Sequence, residues 1–399
     1  MLNVPAMKSL LVLGVQYPPE SFLLRRYRAL AARGFKVTLI AGYAPTTHPP
    51  AYEGVLWKRD VMSSSVPHWM VVGYCIQALW IACLHPIRVG RFVGHVLMRP
   101  FSWDLRGFLA HMRLFLCKED IIHIEWLSLM ECFTSLKYCI DARLVVSCRG
   151  TQFVNGRDAQ ENNASFISTL KRPAGIHAVC ENFARTAREI REKKNSDVTT
   201  IYSGVPDPHK MPIISNVLSF CIVGRLTAIK DHELGLQALK IVRDLGYDCT
   251  LDLVGDGTDM ARLRYAAMDL NIQNAVRFHG ALNSSKTMEH IASSGCLILT
   301  SIHEGVANVV LEAMALGVAV ISTDCGGMNE VIVSGYNGLL VPRHSAQAIA
   351  DAMMHMIQNP LHAKSMAYHG RLTFLRRFTI EKSTRSWIEF YQGVIKNVA

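Results

Sequence analysis

The chain has 399 residues, 50% of them hydrophobic and 19% charged, with 27 Gly, 15 Pro and no short-period repeat. That is enough for two domains of ordinary size, and it excludes disordered, collagen-like and solenoid chains. The formal charge of +10 is confined to one half, since residues 1–206 hold 25 basic and 15 acidic side chains and residues 207–399 hold 17 of each. A uniformly basic chain would point to nucleic acid; this asymmetry points instead to a lobe facing an anionic membrane or a phosphate-bearing acceptor, with plain solubilising charge as the alternative.

Short apolar runs alternate with helical stretches, the pattern of parallel sheets covered by helices. Leu10 to Leu13 reads as a first buried strand and not as a secretory signal, because no small-residue cleavage site follows it. A helix from Ser21 to Ala32, stopped by Gly34, leads to a strand from Val37 to Ala41. The stretch from Ser63 to Ile87 has no Lys, Arg, Asp or Glu, and its apolar centre from Trp69 to Leu84 is 16 residues. As a helix that centre is about 24 Å long against a hydrocarbon layer of about 30 Å, so it is expected to lie buried or in an interface and not to span. From Val61 to Lys118 the sole acidic residue is Asp104, while Arg88, Arg91, Arg99, Arg106 and Arg113 alternate with aromatics such as Phe92, Trp103 and Phe115. Such a composition suits a membrane interface, and equally amphipathic helices with one solvated face.

Four more strands follow, at Ile121–Ile124, Leu144–Ser147, Ile176–Val179 and Thr199–Ile201. His123, inside the run DIIHIEW, reads as a satisfied strand-end histidine or as a group on the acceptor side of a site. The polar, proline-bearing stretch from Ser203 to Asn216 predicts a boundary: a first domain over 1–206, a hinge at 207–216, a second domain over 217–375 and a terminal helix over 376–399. In that helix the spacing of Trp387, Phe390, Tyr391 and Val394 allows packing back on the first domain. Strands of the second half are expected at Phe220–Val223, Leu251–Val254, Val276–Phe278, Leu297–Ser301, Val318–Ser322 and Gly338–Leu340. Two Rossmann-like lobes collect ligands at the carboxyl ends of their strands, so a cleft between two such edges is expected.

Two segments carry chemistry. In CIVGRLTAIK a strand runs into Gly224, with Arg225 at its tip and Lys230 in the following loop; two cations there suit a diphosphate and could neutralise its charge on leaving. In LILTSIHEGVANVVLE a strand ends at Ser301, Glu304 and Gly305 form a loop, and a helix beginning near Asn308 carries Glu312. A helix start offers unpaired N–H groups and partial positive charge to an anion, and a carboxylate can accept from both hydroxyls of a ribose. No Asp-x-Asp occurs in the chain, which removes the usual carboxylate clamp for a metal-bound nucleotide sugar.

These motifs, with LDLVGDG, VRFHGAL, STDCGGMNEVI and GYNGLLVP in that order, resemble the donor lobe of GT-B glycosyltransferases, specifically the large retaining family four, over nearly all of Ser219 to Ala350. The first half is similar, more loosely, to sugar transferases of colanic-acid and exopolysaccharide pathways through YPPESFLLRRYRALAARGFKVTLIAG, VVSCRGTQ and TIYSGVPD. The resemblance implies an α/β GT-B fold, two facing Rossmann-like domains with the terminal helix crossing back to the first. It implies a retaining, metal-independent transferase without a cofactor, taking a UDP- or GDP-linked sugar to a glycan or lipid-linked acceptor in cell-surface polysaccharide synthesis. Its expected place is the cytoplasm, peripheral at the inner face of the membrane, with no nucleic acid partner.

By that resemblance Arg225 and Lys230 hold the diphosphate, Glu304 with the backbone of Gly305, Val306, Ala307 and Asn308 holds the donor sugar and phosphates, and Glu312 holds the ribose. Gly255 lies in the donor turn, and the strand end Arg277, Phe278 and His279 meets the base. Many relatives have His where the VVSCRGTQ loop of this chain has Cys148-Arg149, and an acidic residue in place of Gln152. Arg149 is therefore assigned to an acceptor phosphate or a charged sugar; Glu20 and Ser21, in the GVQYPPESF loop that replaces a glycine-rich one, and His123 are further candidates on the acceptor side. The alternative from another class is a noncatalytic GT-B protein binding a nucleotide or a partner in an assembly complex. A Rossmann oxidoreductase would need a G-x-G-x-x-G that does not follow the first strand.

Overall fold

The structure, a computed structural model, describes residues 8–15, 19–41, 55–59, 68–97, 112, 117–127, 129, 142–149, 170–171, 173–191, 197–209 and 218–396. The arginine and aromatic run beyond Leu97, Gln152 and most of the expected hinge lie outside them. The chain forms two compact units, one of Met1–Val179, Phe183–Ile201 and Thr384–Ala399, the other of Cys180–Asn182 and Tyr202–Ser383.

In the first unit β1 (Ser9–Val15), β2 (Lys36–Ala41), β3 (Val55–Arg59), β4 (Ile121–Ile124), β5 (Arg143–Cys148), β6 (Gly175–Ala178) and β7 (Val198–Thr200) form a parallel sheet in the order β3-β2-β1-β4-β5-β6-β7. Strands β4 and β6 are buried along their whole length, which is why they read as continuous apolar runs and not as alternating ones. β3 was not anticipated: VLWKR is five residues long and ends in two charges. α1 (Ser21–Ala31) turns Leu23, Tyr27 and Leu30 into the core. The uncharged stretch is two helices, α2 (His68–Leu84) and α3 (Pro86–Leu97), since proline at the start of α3 supplies no N–H to continue α2. Among the described residues no helix is long and apolar enough to cross a membrane. α4 (Glu181–Arg191) follows β6.

The second unit has β8 (Ser219–Val223), β9 (Thr250–Val254), β10 (Val276–Gly280), β11 (Cys296–Leu299), β12 (Ala319–Thr323) and β13 (Leu339–Val341), all parallel, in the order β10-β9-β8-β11-β12-β13. Its helices are α5 (His232–Asp244), α6 (Met260–Asp269), α7 (Ser284–Ser293), α8 (Asn308–Leu316), α9 (Ala346–Gln358) and α10 (Pro360–Arg377). The last of these starts on a proline, a favoured first position because its missing N–H is an orphan there anyway. α11 (Ile380–Lys396) begins in the second unit and ends in the first, where Trp387, Phe390, Tyr391 and Val394 are buried with Leu10, Val12, Tyr27 and Val37. In both sheets the strand order reverses between the first and fourth strands, β1/β4 and β8/β11. Such a reversal leaves a crevice at the carboxyl ends, the place where open α/β sheets bind ligands.

Candidate functional site

In the second unit the two chemical segments leave the sheet from the two strands at the reversal, β8 and β11. The loop after β8 is tied to the turn after β9: Gly224 N–H donates to Val254 O (3.0 Å) and Leu226 N–H to Asp256 O (2.9 Å). Gly255, at φ +148, has no room for a side chain, because a Cβ there would lie 1.8 Å from Gly224 O. Arg225 is exposed at the strand tip. Beneath it His232, on the first turn of α5, meets Arg225 O through Nε2 at 3.1 Å. A carbonyl only accepts, so Nε2 carries the proton. Burial lowers this histidine to about 4, which keeps it neutral in ordinary buffers.

The loop after β11 is pinned to the same place. Thr300 Oγ1 donates to Lys230 O (2.7 Å) and Ile302 N–H to Ile229 O (2.9 Å). Lys230 Nζ is in direct contact with Glu304 Oε1, which also accepts from Ser301 Oγ at 3.0 Å. The two segments identified by sequence therefore meet through an ion pair of partly buried side chains. Gly305 O accepts from Gly327 N–H at 2.7 Å, and the turn Cys325-Gly326-Gly327 lies against the loop so closely that a Cβ on Gly326, at φ +58, would sit 1.5 Å from Glu304 O. Gly305 and Ala307 are buried, Val306 lies between them, and Asn308 opens α8 with its Oδ1 buried and without a partner among the described residues. In that first turn Val310 N–H donates to Ala307 O (3.1 Å), and the turn carries the positive end of the helix dipole. Glu312 is half-buried on α8.

The end of β10 is arranged differently from a set of groups aimed at a ligand. Arg277 (Nε 2.8 Å, Nη2 3.1 Å) and His279 (Nε2 2.6 Å) both converge on the carboxylate of Asp252 in β9. Phe278 packs on the core beneath the guanidinium of Arg264, 4.7 Å from its ring. Asp252 and His232 were missed by sequence reasoning, although an acid inside the apolar strand LDLV was a visible signal for the first. Glu330 was also unassigned: within the second unit its carboxylate accepts from the N–H groups of Glu181 (2.7 Å) and Asn182 (2.9 Å) and from Tyr202 Oη (2.8 Å).

In the first unit the reversal at β1/β4 is filled by a buried polar network. Glu125, just after β4, takes contacts from Arg26 and Tyr27 of α1 at Oε1, and Arg149, just after β5, approaches Oε2 at 3.2 Å. Arg26 is sandwiched 4.3 Å from the rings of both Tyr27 and Trp387. His123 bonds Tyr391 Oη through Nδ1 (2.7 Å) and Ser147 Oγ through Nε2 (2.8 Å); Ser147 Oγ meets His177 Nδ1 (2.8 Å), and His177 Nε2 donates to Ile201 O (2.9 Å). Burial first, and the nearby guanidiniums of Arg26 and Arg149 after it, hold both histidines well below their usual range. His123 is thus sealed and occupied on both nitrogens. Burial lowers Arg149 to about 10, opposed by the charges of Glu125 and Glu20, so it stays protonated. Glu20 immediately precedes α1 and Ser21 is its exposed first residue.

Residues 206–373 match the family described as glycosyl transferases group 1. N-acetyl-alpha-D-glucosaminyl L-malate synthase of Bacillus anthracis is 26% identical over 302 residues, covering 70% of this chain and 76% of that protein. A glycogen synthase of Mycobacterium tuberculosis is 22% identical over 360 residues, 86% of this chain and 83% of its own. Among solved structures, Anabaena HepE in complex with UDP and glucose superposes with a TM-score of 0.71 at 16% identity, covering 97% of this chain and 99% of that one. Two parallel sheets covered by helices match these neighbours, so the chain has a GT-B fold, and the stretch of its second unit from 206 to 373 is similar to the group 1 glycosyl transferases.

Proposed function

We propose that the enzyme moves a sugar from a nucleotide diphosphate sugar to a glycan or lipid-linked acceptor of cell-surface polysaccharide synthesis, with retention and without a metal, peripheral at an anionic membrane. The observation that carries this reading is the meeting of the Arg225–Lys230 loop and the Glu304–Asn308 loop at the strand reversal of the second unit. A UDP-linked donor is supported by the UDP and glucose held by Anabaena HepE.

The geometry suggests an exchange of partners. An incoming diphosphate competes with Glu304 for the ammonium of Lys230, and the released carboxylate is free to accept from hydroxyls of the donor sugar. Arg225, already exposed, adds a second cation, and the first turn of α8 adds N–H groups. Glu312 accepts from the ribose. As the bond from anomeric carbon to the β-phosphate oxygen breaks, negative charge grows on the leaving diphosphate beside these cations. The acceptor oxygen bonds to the anomeric carbon on the same face, and its proton passes to a phosphate oxygen. Asp252 serves to hold Arg277 and His279 at the edge of this site.

A screen of UDP- and GDP-sugars scored by nucleotide diphosphate release, with product anomers read by NMR, tests the reading. Release with one donor class and an unchanged anomeric configuration is expected. Inversion would overturn the retaining mechanism, and binding of nucleotide without release from any donor would favour the noncatalytic alternative.

A further inference from the structure

A helix that is apolar on every side is normally covered on every side. α2 is such a helix, 17 residues (HWMVVGYCIQALWIACL) with no charge, yet one face is open. Ile76 (64% exposed), Leu79 (69%), Trp80 (55%) and Leu84 (50%), with exposed Cys83 between the last two, recur at steps of three and four residues, and Ile87 (72%) at the start of α3 continues the line. At about 100° per residue these side chains span an arc of about 140°. The opposite side is the packed one, with Ala78 and Ile81 buried, followed by Val89 and Phe92 on α3. The stripe thus lies on the face of the helix turned away from these buried residues.

We propose that this face is a docking surface for an anionic phospholipid bilayer, α2 lying in the plane of the interface with its open stripe among the acyl chains. The inference rests on the peripheral reading above and gives it a site. The charge pattern selects the occupant. No Asp or Glu occurs from Val61 to Met98 or among the next five residues, while Arg88 and Arg91 are exposed directly beyond the stripe. A second copy seated here would bring together two lobes that each carry the whole positive excess of the chain, whereas anionic headgroups complement it. The length agrees, since α2 is too short to span and an in-plane helix has no length requirement.

The test is sedimentation of the full chain with phosphatidylcholine vesicles with and without phosphatidylglycerol, at low and high salt, beside the triple variant Ile76→Ser/Leu79→Ser/Leu84→Ser. These residues are exposed, and circular dichroism together with calorimetric titration of nucleotide diphosphate verifies that the variant keeps its fold and donor site. Wild type should bind the anionic vesicles, the triple variant should bind at least about tenfold more weakly, and Arg91→Glu should weaken binding chiefly at low salt. Brominated acyl chains should quench a part of the tryptophan emission that Trp80→Phe removes. Equal binding by wild type and the triple variant would overturn the stripe while leaving peripheral attachment standing. No binding by wild type to any vesicle would overturn both. A concentration-dependent dimer in sedimentation equilibrium, abolished in the triple variant, would assign the face to a second copy and overturn the proposal as well.

Discussion

The two sheets reverse strand order at equivalent places, β1/β4 and β8/β11, and treat the resulting crevices in opposite ways. At β8/β11 the charges are on loops: Arg225 is exposed, and Lys230 and Glu304 hold each other while still reached by solvent. At β1/β4 the charges are inside: Glu125 is fully buried between Arg26, Tyr27 and Arg149, and the aromatic side chains of α11 close over them. A partly solvated pair exchanges partners at lower cost, because water and ligand replace what it gives up. A sealed pair does not, since separating it strands a charge in a poorly polarisable interior. The same chemical groups thus form a partly open pair in one unit, where the proposed donor site lies, and a sealed cluster in the other.

The sharpest way to break this contrast is to remove one carboxylate from each crevice. Glu125→Ala leaves two buried guanidiniums without their counter-charge and should cost about 3–5 kcal/mol of stability. Glu304→Ala, at a pair whose side chains keep 20% and 16% of their surface exposed, should cost less than that. All six tryptophans of the chain belong to the first unit, so denaturant titration followed by tryptophan emission reports that unit, and circular dichroism reports both. Equal losses in the two variants would show that the crevices do not differ in kind.

Turnover should show the reverse order. Arg225→Ala, with its unfolding midpoint unchanged, and Lys230→Ala are each expected to lower it by ~10² or more, because each removes charge that matters most as the diphosphate leaves. Steady-state rates near wild type in both would remove the diphosphate from this loop. A smaller effect is expected for Glu312→Ala, which should weaken the bare nucleotide diphosphate by about tenfold, the loss of a charge-assisted hydrogen bond. Glu304→Ala should harm turnover more than affinity. Calorimetry separates these two, and unchanged affinity in Glu312→Ala would show the ribose to lie elsewhere.

Acid offers the mildest probe. His123 and His177 stay neutral in the folded first unit at pH values where the unfolded chain, with histidine near 6.5, takes up protons. The unfolded state then binds more protons, so stability is level above about pH 6.5 and falls as pH drops below it, by up to about 1.4 kcal/mol per pH unit for each histidine. In the second unit His232 acts in the same sense between about 6.5 and its folded value of about 4. His177→Gln should lessen the slope seen by tryptophan emission by about one histidine's share; an unaltered slope would show that His177 titrates normally.

The sheets were legible because buried parallel strands are runs such as FCIV, LDLV and LILT, and the loop chemistry of the second unit was legible because it is local. Arg225 and Lys230 follow one strand, and Glu304 follows another at a fixed distance. That Lys230 and Glu304 touch was not legible, since 74 residues separate them. Glu125 was hidden for the same reason, its partners Arg26 and Tyr27 lying 99 and 98 positions away. A lone acid after a strand carries no mark of whether it faces solvent or two arginines. The sequence did mark His123 as strand-borne, and both of its nitrogens are spent on Tyr391 and Ser147. β3 and α10 escaped notice because a short charged strand and a helix with polar residues on most sides give weak periodicity.

The path of α11 makes the first unit discontinuous in synthesis. Its core contains Trp387, Phe390, Tyr391 and Val394, which leave the ribosome about 180 residues after Ile201, and at about 5–20 residues per second that is a delay of roughly 10–40 s. During that interval the first sheet has its strands and its buried charges but not the aromatic side chains that close over Arg26 and His177. The second unit can meanwhile complete its own sheet. All residues of the second unit are thus made before the first unit's core is complete, and a stop codon placed at 384 would leave the first unit with an open core while removing no residue of the second.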